Sequence, residues 1–381
     1  MGREVESGFI EVDGGRLYYE QAGEGEPLVM IHDGLVHSAG YDSQFAAFSG
    51  DYRVVRYDRR GYGRSPVAAE PYSNVSDLKA IFDSLDIGRA MVMGGSAGGR
   101  LAIDFTLRYP ERVSTLVLVG AVVSGMPYST HMITRGGHLK ASDNASPEAF
   151  RSYWYERDPY EMAPNNLEAR RKVGALIEAN PQNADRTKPH LDVGPERPAL
   201  GALGEIKVPT LVLVGEYDIP DCHAFAGAIE AGVPDAQRVV VPDAGHLIPI
   251  EQPQVFNELV RTFLNEAPFF STLRSEGVTA AAALFEQRRM QDPQATVFAE
   301  ARVNAEGYNY LFNGQVDEAC ELFRLNVEAY PESANVYDSY GEGLLARGDT
   351  ARAIVNYEKS LTLNPNNNNA AQVLERIRGQ Q

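Results

Sequence analysis

Six consecutive residues, Gly94-Gly95-Ser96-Ala97-Gly98-Gly99, constrain this chain more than any others. They follow a short apolar run, Ala90 to Gly94, and open a helical pattern from about Ala97 to Tyr109, where Pro110 stops it. Strand, tight turn and helix are the setting in which a G-x-S-x-G serine takes a strained backbone conformation with its hydroxyl exposed. Flanking glycines are needed because side chains there would collide with neighbouring elements. The helix N-terminus supplies backbone N–H groups and a positive dipole end to a developing oxyanion. Read this way, Ser96 is a nucleophile at the rim of an α/β sheet.

The first 120 residues keep the matching rhythm. FIEVDGGRLYYEQAG reads as a hairpin turning at Gly14-Gly15. Strands are expected from Leu28 to His32, Tyr52 to Tyr57 and Val113 to Val119, and a helix from about Val75 to Leu85. Such alternation of strands and helices predicts an open, mainly parallel sheet. From about Ser124 to Glu205 the rhythm stops. Two helices are expected there, one opened by Ser146-Pro147 and carrying Phe150, Tyr153 and Trp154, the other near Asn166 to Ala179. A segment of that length is too long for a plain loop, which suggests a helical cap over one end of the sheet. Strand patterns return from Val208 to Gly215 and Arg238 to Val241, followed by a helix from about Gln254 to Leu264.

Past Asn265 the sequence becomes rich in Ala, Glu and Arg at helical spacing and contains a repeat. Gly307, Tyr310, Gly314, Ala319, Phe323 and Pro331 recur 34 residues later as Gly341, Leu344, Gly348, Ala353, Tyr357 and Pro365. Small residues at these places let two antiparallel helices pack closely, and the proline ends each unit. The segment from Val303 to Pro365 resembles two tetratricopeptide repeats. A degenerate third unit (Gly277, Ala282, Pro293) is expected before them, and a closing helix from Ala370 to Arg378. The predicted organisation is a sheet core at 1–123 and 206–268, a cap at 124–205 and helical repeats at 269–381.

Composition narrows the partners. Lys plus Arg number 35 against 52 Asp plus Glu, a net charge of −17. Phosphate-rich surfaces require cations, so this balance speaks against nucleic acid and anionic membranes. The two cysteines, Cys222 and Cys320, cannot build a disulfide framework, and no Cys/His spacing resembles a zinc site. No apolar run approaches the ~20 residues that span a bilayer, and MGREVESGFIEV has no apolar signal region. A cytoplasmic protein without metal or cofactor is expected.

A nucleophilic serine needs a base, and the base an orienting acid. Asp218 follows the strand ending at Gly215, and His246 sits in a Gly turn after the strand ending at Val241. Chain order is therefore serine, acid, histidine. Glu216 and Asp221 stand close enough in sequence to compete for the acid role.

PLVMIHDGL, YRVVRYDRRGYGRS, VMGGSAGGRLAIDF, PTLVLVGEYDIPD and DAGHLIPIEQP together resemble the α/β-hydrolase superfamily, over about Gly8 to Glu266. The resemblance implies Ser96 as nucleophile, His246 as general base and acid, and Asp218 as its orienting carboxylate. It also implies an oxyanion hole from the N–H groups of Ala97 and Gly34. A serine hydrolase cleaving a small ester or lactone-type acyl substrate through an acyl-enzyme follows from it. One departure stands out, since the usual His-Gly is His32-Asp33 here. A carboxylate facing the oxyanion would oppose its charge, so Asp33 is expected to turn away and bond loop N–H groups or a cation. The Arg59 to Ser65 segment reads as a structural turn. Asp33, Arg135, Tyr153 and Trp154 are the candidate substrate contacts.

The same fold supports aminopeptidase and C–C bond hydrolase chemistry. Ala97 replaces the Trp that prolyl aminopeptidases carry after the serine, and Ser96 stands where dehalogenases and epoxide hydrolases need Asp. A reading from another class is an interaction protein whose repeats recruit a partner while the hydrolase body senses a ligand. Two repeats are fewer than the about three that bury their own core. Docking on the hydrolase body, homodimer formation or a partner chain is therefore expected of the C-terminal module.

Overall fold

The computed structural model describes residues 4–134, 166–180 and 191–379. The helix expected around Phe150, and the candidates Arg135, Tyr153 and Trp154, lie outside these residues. The chain divides into two compact units, Met1–Arg261 and Thr262–Gln381.

Eight strands of the first unit form one sheet. They are β1 (Glu6–Val12), β2 (Gly15–Ala22), β3 (Pro27–Ile31), β4 (Arg53–Tyr57), β5 (Ala90–Gly95), β6 (Val113–Val119), β7 (Thr210–Gly215) and β8 (Ala236–Val241). Their order is β1-β2-β4-β3-β5-β6-β7-β8. Only the β1–β2 and β2–β4 pairings are antiparallel. Val12 pairs with Gly15, so the hairpin turns at Asp13-Gly14 rather than Gly14-Gly15, with Gly14 at φ +68°. Of the two turn residues only Gly14 takes the left-handed conformation, which glycine adopts without a Cβ penalty.

Sequence patterning accounts for the layering. Every residue of β5 and β7 is buried, as a strand covered on both faces requires, whereas the edge strand β8 leaves Gln237, Arg238 and Val240 exposed. Helices α1 (Asp42–Phe48), α2 (Asn74–Ser84) and α3 (Ala97–Arg108) follow in the first half of the unit. Ser73 caps α2 by accepting from the Ser76 N–H. A buried bidentate pair between Arg60 and Asp77, at 2.7 and 2.8 Å, ties the loop after β4 to α2. Helix Pro220–Gly232 had no distinct signal in the sequence, because FAGAIEAG is almost all small or apolar. The helix expected from Gln254 to Leu264 continues through Pro268 to Glu276.

Between β6 and β7, helix Leu167–Ala179 packs Ala169, Val173 and Ile177 against Val36, Leu247 and Ile250. Val36 lies in the loop after β3, and Leu247 directly follows His246. The helix thus rests on loops at the C-terminal end of the sheet.

In the second unit, helices Glu300–Phe312 and Val316–Ala329 are followed by Ala334–Ala346 and Thr350–Leu363, each 34 residues after its counterpart, and then by Asn368–Arg378. Gly307 lies against the Phe323 ring and Gly341 against the Tyr357 ring, the same contact in both pairs. Phe269, Phe270, Phe285 and Phe298 share one core with Val303, Leu322 and Leu325 of the first helix pair, with Phe285 and Phe298 stacked at 5.3 Å. Gly277 precedes helix Val278–Gln291 at φ +87° and stands five residues before buried Ala282, as Gly314 (φ +77°) stands before Ala319 and Gly348 (φ +87°) before Ala353. The expected third copy thus keeps the turn glycine and buried alanine of the repeat's second helix.

Candidate active site

Strand order reverses between β3 and β5, the point where an open sheet leaves a crevice beyond its C-terminal ends. Ser96 terminates β5 there with φ +49° and ψ −112°, an uncommon conformation for a residue with a Cβ, whose cost is about 1–3 kcal/mol. The surroundings enforce it. Its N–H donates to Val119 O at 2.8 Å, and its carbonyl accepts from Arg100 N at 3.0 Å. A Cβ at Gly98 would run into the carbonyl oxygens of Ile31 and His32, so β3 and α3 approach this closely only because position 98 is glycine. Ala97 is the first residue of α3, and its N–H has no carbonyl of its own helix to meet.

Asp218 and His246 arrive from the loops after β7 and β8. His246 Nδ1 lies 3.0 and 2.9 Å from the two Asp218 carboxylate oxygens. Nδ1 therefore carries the ring proton and donates it, which leaves Nε2 as the basic nitrogen. Asp218 is buried, and its Oδ1 also accepts from Ile219 N at 2.7 Å. The competing carboxylates are engaged elsewhere, Asp221 by the Ser129 N–H and hydroxyl and Glu216 by Asp243 N. Ser96 and His246 line one cleft with His32, Asp33, Gly95, Tyr41 and Leu247. The structure thus brings Ser96, His246 and Asp218 to one place.

Gly34 also stands beside the turn, since a Cβ built on it would lie 3.6 Å from Ala97 Cβ. Asp33 bonds loop N–H groups as expected, its Oδ1 accepting from Leu35 N at 2.5 Å and Val36 N at 2.9 Å.

Three further residues support the site, of which Glu251 and Cys222 had no distinct sequence signal. Buried Glu251 accepts from Gly245 N at 2.9 Å and Leu247 N at 3.0 Å, bracing the turn on both sides of His246. Cys222 Sγ lies 3.7 Å from both His246 Nδ1 and Gly120 O, and burial pushes its thiol pKa up to about 12. His32 is wholly buried; desolvation, reinforced by the Arg59 charge, holds its pKa well below the usual imidazole range. Among the described residues, Asp218, Cys222 and His246 are the one cluster with metal-ligand potential, and a cation there would compete for the Nδ1 position that Asp218 already engages.

This sheet, crevice and elbow define an α/β-fold hydrolase. The sequence profile of the Alpha/beta hydrolase family matches residues 28–259, and the chain belongs to that family. It is 32% identical over 287 residues to a 2-hydroxy-6-oxononadienedioate/2-hydroxy-6-oxononatrienedioate hydrolase of Klebsiella pneumoniae, covering 68% of this chain and 96% of the relative. Among solved structures, Est816, described as an N-acyl homoserine lactone degrading enzyme, matches with TM-score 0.57 and 27% identity, over 67% of this chain and 99% of its own. A meta-cleavage product hydrolase from Pseudomonas fluorescens matches with TM-score 0.56 and 26% identity, over 68% and 98%.

Proposed function

We propose that the protein is a cofactor-free serine hydrolase acting on a small ester or lactone-type acyl substrate. The observation that carries this reading is the strained Ser96 elbow in one cleft with His246, whose Nδ1 is held by Asp218. In the proposed cycle His246 Nε2 takes the Ser96 proton as Oγ attacks the substrate carbonyl. The N–H groups of Ala97 and Gly34 receive the oxyanion, and His246 returns the proton to the departing alcohol. Water, activated by the same imidazole, then releases the acid. The helix Leu167–Ala179 resting on the Val36 and Leu247 loops supports a cap role for the segment after β6. The 34-residue recurrence of glycine–aromatic contacts supports a tetratricopeptide-like reading of the C-terminal helices, and with it a role in dimer formation or partner docking.

A second reading, hydrolysis of a C–C bond next to a ketone, is favoured by the Klebsiella relative, whose name describes a 6-oxo dienedioate substrate. The same serine, base and oxyanion donors serve both. A panel of p-nitrophenyl esters, lactones, amino-acyl amides and vinylogous diketones separates these activities. Ser96→Ala is expected to lose about 10⁴–10⁶-fold in kcat and all labelling by a fluorophosphonate, and Asp218→Asn less. Full turnover by Ser96→Ala on every substrate would end the serine-hydrolase reading.

A further inference from the structure

The carbonyl oxygen of Asp33 accepts two hydrogen bonds, from His32 Nδ1 at 2.7 Å and from Arg59 Nη2 at 2.5 Å. His32 Nε2 accepts from Arg59 N at 2.9 Å, so the neutral ring carries its proton on Nδ1 and donates it to Asp33. Arg59 is itself buried at 8% exposure, and its guanidinium lies 4.8 Å from the Tyr62 ring centroid. Tyr62 in turn donates its hydroxyl proton to Gly34 O at 3.1 Å. The residues between His32 and Val36 are therefore held at consecutive peptides, by groups from the loop after β4 and by the Asp33 carboxylate.

Among the described residues no peptide bond is cis, and a trans peptide points its C=O and N–H in opposite directions. Turning the Asp33 carbonyl toward Arg59 and His32 turns the Gly34 N–H away from them, with Gly34 standing against Ala97. We propose that Arg59 is a positioning residue for the oxyanion hole, acting on the Gly34 N–H through the Asp33 carbonyl. The inference rests on the serine-hydrolase reading. A guanidinium–carbonyl bond is charge-assisted and roughly twice as strong as a neutral one. It holds the Asp33–Gly34 peptide plane and polarises it, which makes its N–H a stronger donor. The positive charge also offsets the Asp33 carboxylate, the feature that sets this loop apart from His-Gly.

The test uses the full-length chain with p-nitrophenyl butyrate as substrate and an alkyl trifluoromethyl ketone as a mimic of the tetrahedral adduct. Removing an oxyanion donor outright costs about 10²–10³ in kcat, so weakening one should cost less. Arg59→Met is expected to lower kcat by about 10- to 100-fold with KM within twofold. Its affinity for the ketone should fall by a similar factor, and Arg59→Lys should recover part of both losses. Should Arg59→Met fail to fold by circular dichroism, Arg59→Gln keeps a neutral donor and carries the same comparison. A kcat within twofold of wild type, or a raised KM at unchanged kcat, overturns the inference while leaving the hydrolase reading standing. A wild-type protein that neither turns over esters nor labels at Ser96 overturns both.

Discussion

At the scale of single residues, the site is built by burying polar groups that have partners. His32 is the clearest case, a neutral imidazole with one nitrogen donating to Asp33 O and the other accepting from Arg59 N. Its folded-state pKa lies well below the ordinary imidazole value of about 6.5, which the unfolded chain regains. Below that pH the unfolded state takes up a proton that the folded state refuses. Stability is therefore fully present above about 6.5 and lost as pH falls, at up to about 1.4 kcal/mol per pH unit. Urea unfolding at pH 7.5, 6.0 and 5.0 should show this slope, and His32→Gln should flatten it; an unchanged slope would mean other groups dominate. Ser96, His246 and Asp218 were legible in the sequence because each sits beside a glycine turn after an apolar run. Arg59 and Glu251 were not, because each acts on backbone atoms, Arg59 on a loop 26 residues away and Glu251 on the turn just before it, and residue type does not record such contacts.

At the scale of elements, apolar runs and glycines set where strands and helices begin and end, while packing set their lengths. Helix Pro253–Glu276 outruns its sequence pattern because Phe263, Phe269 and Phe270 are buried along it. In the C-terminal unit the repeat glycines make helix contact possible. A Cβ at Gly307 would enter the Phe323 ring, whereas one at Gly341 would stop 3.0 Å from Tyr357. Overpacking costs about 1–3 kcal/mol, against the ~1 kcal/mol that Ala gains over Gly inside a helix. Gly307→Ala should therefore lower the unfolding midpoint of this unit and Gly341→Ala should leave it nearly unchanged, as read by thermal circular dichroism. A higher midpoint for Gly307→Ala would refute the close-contact account.

At the scale of the whole molecule, an α/β-hydrolase unit and a helical unit each bury a core of their own. No helix among the described residues is long and apolar enough to cross a membrane. With a net charge of −17, the chain should bind an anion exchanger at pH 7 and leave duplex DNA unretarded at about 0.1 M salt. A shifted DNA band would show that its cations are gathered on one face despite the overall sign.

The amino-acid order by itself determined the alternation of strand and helix, the serine elbow, the serine–acid–histidine succession and the 34-residue periodicity. Each is a local matter of spacing, turn chemistry and side-chain size. Tertiary structure alone decided which of three neighbouring carboxylates meets His246, where the Asp33 side chain and carbonyl point, and that Arg59 reaches that carbonyl. Those outcomes depend on strands β3, β4, β5, β7 and β8 converging at one end of a sheet. Convergence is set by the order in which strands pair, and pairing joins residues that spacing along the chain does not relate.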